Sequence, residues 1–406
     1  PGALADTVAD FQAQGISIRR VIALPSALTP EQKPESLFQN ARKLGLNLSR
    51  FQSLDDEQSV IAPIKIDDLL LRPSFQIDEQ RLSQALAGKR VAVTGAGGSI
   101  GSELCLKLGK FGVSSILLIE NSEPALFAIS EQMATDFRRV TTIGHICDVR
   151  DRARLFDLLA DYRPELVFHA AALKHVPYLE HDWSEGIRTN VTGSINVADA
   201  TIAAGAAAFV MISTDKAIEP VSMLGATKRF AEIYTEALDA RLRSQNSATR
   251  LISVRFGNVL GSNGSVVPKF KAQIERGGPV TVTHPEMVRY FMTVGEAANL
   301  VLTASLHACD GEASVRASTY VLKMGQPERI LDLAERMVRL SGFEPDVDIE
   351  IAFTGMRPGE RLKEILFAKD EKRVDIGEST LGLPFRVSAD KFLHPLRGLA
   401  GFVIEP

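Results

Sequence analysis

Residues 213–216 read Ser-Thr-Asp-Lys, and Lys228 follows on what should be the next helix. Thr214, Asp215 and Lys216 thus bring a hydroxyl, a carboxyl and an amine to the end of the apolar run Ala208–Ser213. Such a set can donate, accept and store protons around a hydride transfer. The plainer alternative for the same residues is a polar turn whose side chains cap a helix. Two histidines, His175 and His284, have no further histidine at metal-ligand spacing, so no metal site is expected.

A second chemical signature lies upstream, in Thr94-Gly95-Ala96-Gly97-Gly98-Ser99-Ile100-Gly101. Glycines at 95, 98 and 101 suit a sharp turn, a close approach of backbone to a pyrophosphate and tight packing of helix on strand. The run Lys89–Thr94 reads as a buried strand before the cluster, and a helix follows it to about Leu108. The helix start would offer N–H groups and a positive dipole end to phosphates, with Gly95, Gly98, Ser99, Ile100 and Gly101 as contacts. Glu120 ends the next strand, about 20 residues on, where a carboxylate accepts from ribose hydroxyls and repels a 2′-phosphate. NAD is therefore favoured over NADP. Asp148, after the third strand, is a candidate for the adenine amino group or, alternatively, the N-cap of the helix Arg152–Tyr162.

The elements that must position these residues alternate. Strands are predicted at Lys89–Thr94, Ser115–Glu120, Thr141–Cys147, Leu166–Ala170 and Ala208–Ser213. Helices are predicted from Glu123 to about Phe137, over Arg152–Tyr162, and from about Gly186 to Ala204. That pattern predicts an α/β fold with a doubly wound parallel sheet. After Arg255 the alternation breaks, and short strands at Thr319–Lys323 and Asp348–Phe353 flank a helix at Ile330–Leu340, suggesting a smaller C-terminal α/β lobe. Residues 1–86, with a helix at Ala5–Gln14, a strand at Ser17–Leu24, a helix at Pro34–Leu44 and another at Glu79–Ala87, read as a remnant of an N-terminal α/β domain plus linker. Residues 87–255 read as the dinucleotide-binding domain and 256–406 mainly as a substrate lobe, with interleaved boundaries.

Composition narrows the class. The 406 residues carry 46 Lys plus Arg against 50 Asp plus Glu, a net charge of −4, which excludes a bulk electrostatic nucleic-acid binder. Cys105, Cys147 and Cys309 are too few and scattered for a disulfide framework, pointing to a reducing compartment. No run reaches the roughly 18–20 apolar residues that span a bilayer. The chain starts Pro1-Gly2-Ala3 within a helical pattern, so a fragment of a longer protein is expected.

The segments Val93–Cys105 (VTGAGGSIGSELC), Phe168–Pro177 (FHAAALKHVP), Thr189–Val197 (TNVTGSINV) and Ser213–Arg229 (STDKAIEPVSMLGATKR) resemble the extended short-chain dehydrogenases/reductases. Arg255–Phe270 (RFGNVLGSNGSVVPKF), Val282–Thr293 (VTHPEMVRYFMT) and Thr354–Leu362 (TGMRPGERL) narrow the resemblance to the nucleotide-sugar 4,6-dehydratases of polysaccharide biosynthesis, over about residues 64–370. The chain is most similar to the catalytic portion of the large membrane-anchored members. The resemblance implies a native protein tethered, through a missing N-terminal region, to the cytoplasmic side of the bacterial inner membrane, and a homo-oligomer.

It also implies a redox-neutral conversion of UDP-N-acetylglucosamine to a 4-keto-6-deoxy sugar. NAD, tightly bound and recycled, takes a hydride from C4 and returns it to C6. Lys216 would remove the C5 proton, and Asp215 would protonate the departing C6 hydroxyl. Thr214 would hold the sugar 4-hydroxyl and Lys228 the nicotinamide ribose. Val149, Ala170 and Ala171 would complete the cofactor contacts, and Lys174, His175, Asn258, Lys269, Arg357 and Glu360 would bind substrate. A lysine base needs a depressed pKa, so Lys216 is expected to be buried or near other positive charge, with Lys174 and Lys228 as neighbours. Two positions depart from the family. Leu224, with Met223 beside it, replaces the usual Tyr or Met four residues before Lys228, and Leu173 replaces a frequent Tyr. A 4-epimerase on the same nucleotide sugar, or a catalytically impaired NAD-binding protein, are the competing readings.

Overall fold

A computed structural model describes residues 4–24, 37, 40–41, 43–51, 61–63, 77–310, 317–369, 371–375 and 380–384. It divides into two compact units: Pro1–Ser74, Asn258–Thr293 and Gln326–Met356 in one, and Phe75–Gly257, Val294–Gly325 and Arg357–Pro406 in the other.

In the smaller unit, α1 (Leu4–Ala13) precedes β1 (Arg20–Ala23), β2 (Asn47–Phe51) and β3 (Ile61–Pro63). β2 pairs parallel with β1 and antiparallel with β3, and Val8, Ala41 and Leu46 bury a small core. The helix expected at Pro34–Leu44 falls largely outside the described residues.

The larger unit is built on one sheet. After α2 (Glu79–Leu86) come β4 (Arg90–Thr94), α3 (Ser99–Lys110), β5 (Ser115–Glu120), α4 (Glu123–Asp136), β6 (Thr141–Ile146), α5 (Arg152–Tyr162) and β7 (Leu166–His169). Two short helices, α6 (Val176–His181) and α7 (Trp183–Gly186), run into a π-helical stretch at Ile187–Gly193 and then α8 (Ser194–Ala203). β8 (Ala208–Thr214), a 3-10 turn at Asp215–Ala217, α9 (Met223–Ser244) and β9 (Arg250–Phe256) follow.

β10 (Asn258–Val259), α10 (Val266–Glu275), β11 (Val280–Val282), β12 (Val288–Arg289) and β13 (Phe291–Met292) return to the smaller unit. The chain then comes back through α11 (Val294–Cys309) and β14 (Ala317–Leu322). β15 (Glu328–Arg329), α12 (Ile330–Leu340) and β16 (Ile351–Phe353) complete the smaller unit, whose second core gathers Val267, Phe270, Val280, Ala334 and Val338. β17 (Val374–Asp375) and β18 (Thr380–Pro384) close the described chain.

The strand order of the large sheet is β17-β18-β14-β9-β8-β7-β4-β5-β6, parallel from β14 to β6 and antiparallel at β18 and β17. β4 and β5 are apolar and buried almost along their whole length, as strands covered on both faces must be. β6, at the edge, is mostly exposed. β4, β5 and β6 step outward in one direction, and β7 starts again on the other side of β4. That reversal opens a crevice at the carboxyl ends of β4 and β7, the place where such sheets bind ligands. The α/β, doubly wound reading of the sequence holds. The helix expected between Gly186 and Ala204 is interrupted by the π-helical stretch Ile187–Gly193. No described helix is long and apolar enough to cross a membrane.

Candidate active site

Three turns converge on the crevice: residues 95–101 after β4, 170–175 after β7 and 215–222 after β8. The first is shaped by missing side chains. A Cβ on Gly95 would lie 2.6 Å from the Ala171 nitrogen, one on Gly97 2.5 Å from the Ala125 Cβ, and one on Gly101 2.0 Å from the Gly95 carbonyl oxygen. Gly95 also has a φ of +67°, which side chains rarely adopt. Gly98 is the N-cap of α3 and supplies no side-chain cap, so the helix start presents backbone N–H groups and its dipole to the crevice. A diphosphate fits this cradle, with Gly98, Ser99, Ile100 and Gly101 around it.

Glu120 sits at the end of β5 and is 8% exposed. Its carboxylate accepts from the Gly97, Asn121 and Ser122 backbone nitrogens at 3.0, 3.0 and 3.1 Å. Three of about four acceptor positions on a carboxylate are thereby used. Glu120 shapes the cradle as well as facing it. Asp148 bonds Arg150, through the backbone nitrogen and Nε at 2.9 Å each, and this guanidinium holds its carboxyl below the ordinary carboxylate range. Asp148 does not cap the following helix: Asp151 does, accepting from the Arg154 nitrogen at 3.1 Å. Val149 is buried against Gly193, whose Cβ would stand 2.6 Å from Val149 Cγ2.

The turn after β7 is pinned by a residue the sequence reading did not single out. Asn190 accepts from the Leu173 nitrogen and donates to the Leu173 carbonyl, both at 2.9 Å, and donates to Thr227 Oγ1 at 3.2 Å. One buried amide therefore fixes the approach to Lys174 and His175 and ties it to α9 beside Lys228. Behind it, His169 bridges Thr94 Oγ1 (2.7 Å) and Ser194 Oγ (2.9 Å). Burial, reinforced by the Lys228 charge, pushes the His169 pKa down to about 3, so the ring stays neutral.

The acid–base loop follows β8. Asp215 is 1% exposed; its Oδ1 accepts from Thr214 Oγ1 and from Lys216 Nζ, each at 2.9 Å. Its Oδ2 is buried without a hydrogen-bond partner, an expensive arrangement in a finished core but an apt one for an atom awaiting a ligand. Lys216 Nζ also lies 3.5 Å from Glu364 Oε1. Of the two conditions expected for it, burial or nearby positive charge, Lys216 is part-buried, and Asp215 and Glu364 set two carboxylates beside it. Lys228, not Lys216, is the deeply buried amine. Burial lowers its pKa to about 8 against the opposing pull of Glu232, and its Nζ donates to the Ile212 carbonyl at 2.9 Å. Leu224 is buried near the start of α9, so no hydroxyl stands at the family's Tyr position.

Around this loop runs a buried ionic network. Arg255 forks onto Glu232 (2.7 and 2.8 Å) and reaches Glu371 at 2.8 Å, while Ser213 Oγ donates to Glu232 Oε1 at 2.7 Å. Glu364 and Glu371 were not anticipated either. The signal available was the three acids, Glu364, Asp370 and Glu371, in the stretch following Arg357–Glu360. That turn closes on itself, with the Arg357 nitrogen donating to Glu360 Oε2 at 3.1 Å. Asn258 opens β10 and Lys269 lies on α10, both in the smaller unit.

A family model described as "Polysaccharide biosynthesis protein" matches residues 91–380. The chain is 43% identical over 334 residues to the capsular polysaccharide biosynthesis protein CapD of Staphylococcus aureus, covering 80% of this chain and 54% of that one. The chain thus spans about half the length of that curated relative. It is 34% identical over 296 residues to a UDP-glucose 4-epimerase of Rickettsia canadensis, covering 71% and 81%. Among solved structures, Pen from Bacillus thuringiensis superposes with a TM-score of 0.65 at 28% identity, covering 77% of this chain and 99% of that one. With the doubly wound sheet and its glycine cradle, the match over residues 91–380 identifies the chain as a member of the polysaccharide-biosynthesis family of extended short-chain dehydrogenases/reductases.

Proposed function

We propose that this chain is the catalytic portion of an NAD-dependent 4,6-dehydratase acting on UDP-N-acetylglucosamine. The observation that carries this reading is the Asp215–Lys216 pair: acid and amine joined at 2.9 Å, with the free Asp215 oxygen buried and unpartnered. Elimination of water needs one group to take a proton and another to give one, whereas epimerisation at C4 needs neither at C5 and C6.

The cradle of Gly95–Gly101 holds the cofactor diphosphate, and Glu120 takes the adenosine ribose and favours NAD over NADP. When bound, that cofactor supplies reversible hydride acceptance at the sugar. Lys228, amine and half-titrated near pH 8, holds the ribose side of the site and eases loss of the 4-hydroxyl proton through Thr214. With Leu224 unable to exchange protons, Thr214 passes that proton to the Asp215 carboxylate beside a neutral Lys216 amine, which makes the pair a carboxylic acid and an amine.

The proton count of the pair balances. An aspartate with a lysine ammonium and a carboxylic acid with a neutral amine contain the same protons. In the second form Lys216 Nζ takes the proton from C5 as the C5–H bond breaks. Asp215 gives its proton to the C6 oxygen as the C6–O bond breaks and water leaves. The pair ends as an ion pair; as C6 receives its hydride the Lys216 ammonium gives its proton back to C5, which leaves the carboxylate and neutral amine that accept the next 4-hydroxyl proton. Lys174, His175, Arg357 and Glu360 belong to the same unit and would grip the nucleotide diphosphate and ribose, the Arg fork suiting phosphate.

Mass spectrometry of UDP-N-acetylglucosamine incubated with the NAD-loaded protein tests the reading. A product lighter by one water supports it. An isomer of unchanged mass would transfer the protein to the 4-epimerases, the reading favoured by the 34% identity to a UDP-glucose 4-epimerase.

A further inference from the structure

The loop that carries the acid–base pair does not hold itself. The segment that starts in the Arg357–Glu360 turn grips it at three successive points. Gly359, at a φ of +78°, packs so closely that a Cβ would stand 2.9 Å from the Glu180 carboxyl and 3.0 Å from Ser222 Cβ. Glu180 in turn accepts from the Met223 nitrogen at 2.6 Å, at the start of α9. Arg361 donates to the carbonyl oxygens of Ile218 and Glu219, and so pins Glu219 in a left-handed conformation (φ +43°) that a residue other than glycine seldom takes. Glu364 then places Oε1 3.5 Å from Lys216 Nζ, with 4% of its side chain exposed against 21% for the lysine.

We propose that Glu364 is a positioning residue for Lys216: a second carboxylate, delivered by the segment behind the substrate-binding turn, that aims the amine and stabilises the ammonium formed when it takes a proton. The inference rests on the dehydratase reading for its kinetic form. A carboxylate this deeply buried is costly unless it meets positive charge, and the amine assigned to proton removal lies 3.5 Å from it. Asp215 alternates between carboxylic acid and carboxylate through the cycle, so it is not a fixed counter-charge. Glu364 keeps one negative charge beside Lys216 while Asp215 changes state.

The test uses the NAD-loaded protein with UDP-N-acetylglucosamine and four variants: Glu364→Gln, Glu364→Asp, Lys216→Met and the Glu364→Gln/Lys216→Met double variant. Glu364→Gln should lower kcat on the order of tenfold or more, the scale of a lost charge-assisted bond, with KM unchanged. Glu364→Asp should recover part of it. In the Lys216→Met background Glu364→Gln should cost nothing more, since the partner it acts through is gone. Wild-type kcat in Glu364→Gln, or effects that multiply in the double variant, would overturn the proposal. A second measurement needs no sugar: competitive acetylation of Lys216, read by peptide mass spectrometry. Faster labelling in Glu364→Gln than in wild type supports the contact even if the sugar is not turned over, a result that counts against the dehydratase reading alone. Equal labelling overturns the inference whatever the reaction.

Discussion

The turn after β4 works by leaving side chains out; the loop after β8 works by bringing charges in from far along the chain. In the first, three glycines within residues 95–101 exclude even a methyl group, walled by Ala125, Ala171 and the Gly95 carbonyl and joined to Glu120. In the second, Asp215 and Lys216 are neighbours, but Glu364 and the Arg255–Glu232–Glu371 network that braces Ser213 arrive from later elements. A cradle is a steric object and tolerates little. A proton-handling loop is an electrostatic object, and each of its members is held by the charge of another.

That contrast can be broken at several points. Asp215→Asn keeps shape but removes the exchangeable acid; turnover should fall about a thousandfold, within the usual span for general acid–base groups, while NAD affinity stays within twofold of wild type by calorimetry. Glu232→Ala takes one of two carboxylates, Glu232 and Glu371, from the buried Arg255, and urea unfolding should show a loss of about 3–5 kcal/mol. Lys228→Met removes a buried amine whose pKa falls to about 8 in the folded chain but is about 10.4 when unfolded. The unfolded chain therefore holds more protons between those values. The penalty is full below pH 8 and gone above about 10.4, so wild-type stability rises with pH through that window. At 1.36 kcal/mol per pH unit the variant should gain up to about 3 kcal/mol at pH 7, with the gain shrinking to nothing near pH 10.5 in thermal unfolding. Gly101→Ala should cost about 1–3 kcal/mol by overpacking against the Gly95 carbonyl and should weaken NAD binding more than it slows chemistry in whatever fraction binds.

The same contrast explains what could be read in the sequence. The cradle was legible because its requirements are local: a buried strand, glycines at fixed offsets, a helix start and an acid at the next strand end. The sheet followed from the alternation of strands and helices. Asp215 and Lys216 were legible as chemistry, but their surroundings were not. The lysine is expected to be buried or near positive charge and lies beside Asp215 and Glu364, because sequence distance does not show which acid will fold beside it. Asp148 was a candidate cap, and the cap is Asp151, three residues on, where the helix begins. Asn190 lay inside a quoted motif but its role depends on a π-helical stretch that periodicity alone does not reveal.

The division of labour between cradle and loop is tested most directly by one paired experiment. Wild type and Asp215→Asn are each loaded with NAD and followed by proton NMR with UDP-N-acetylglucosamine in deuterated buffer. A new C6 methyl signal with deuterium at C5 in wild type, none in Asp215→Asn, and equal NAD binding in both is the predicted result. A methyl signal of equal rate in Asp215→Asn, or conversion of the sugar by wild type to its C4 epimer alone, would contradict it.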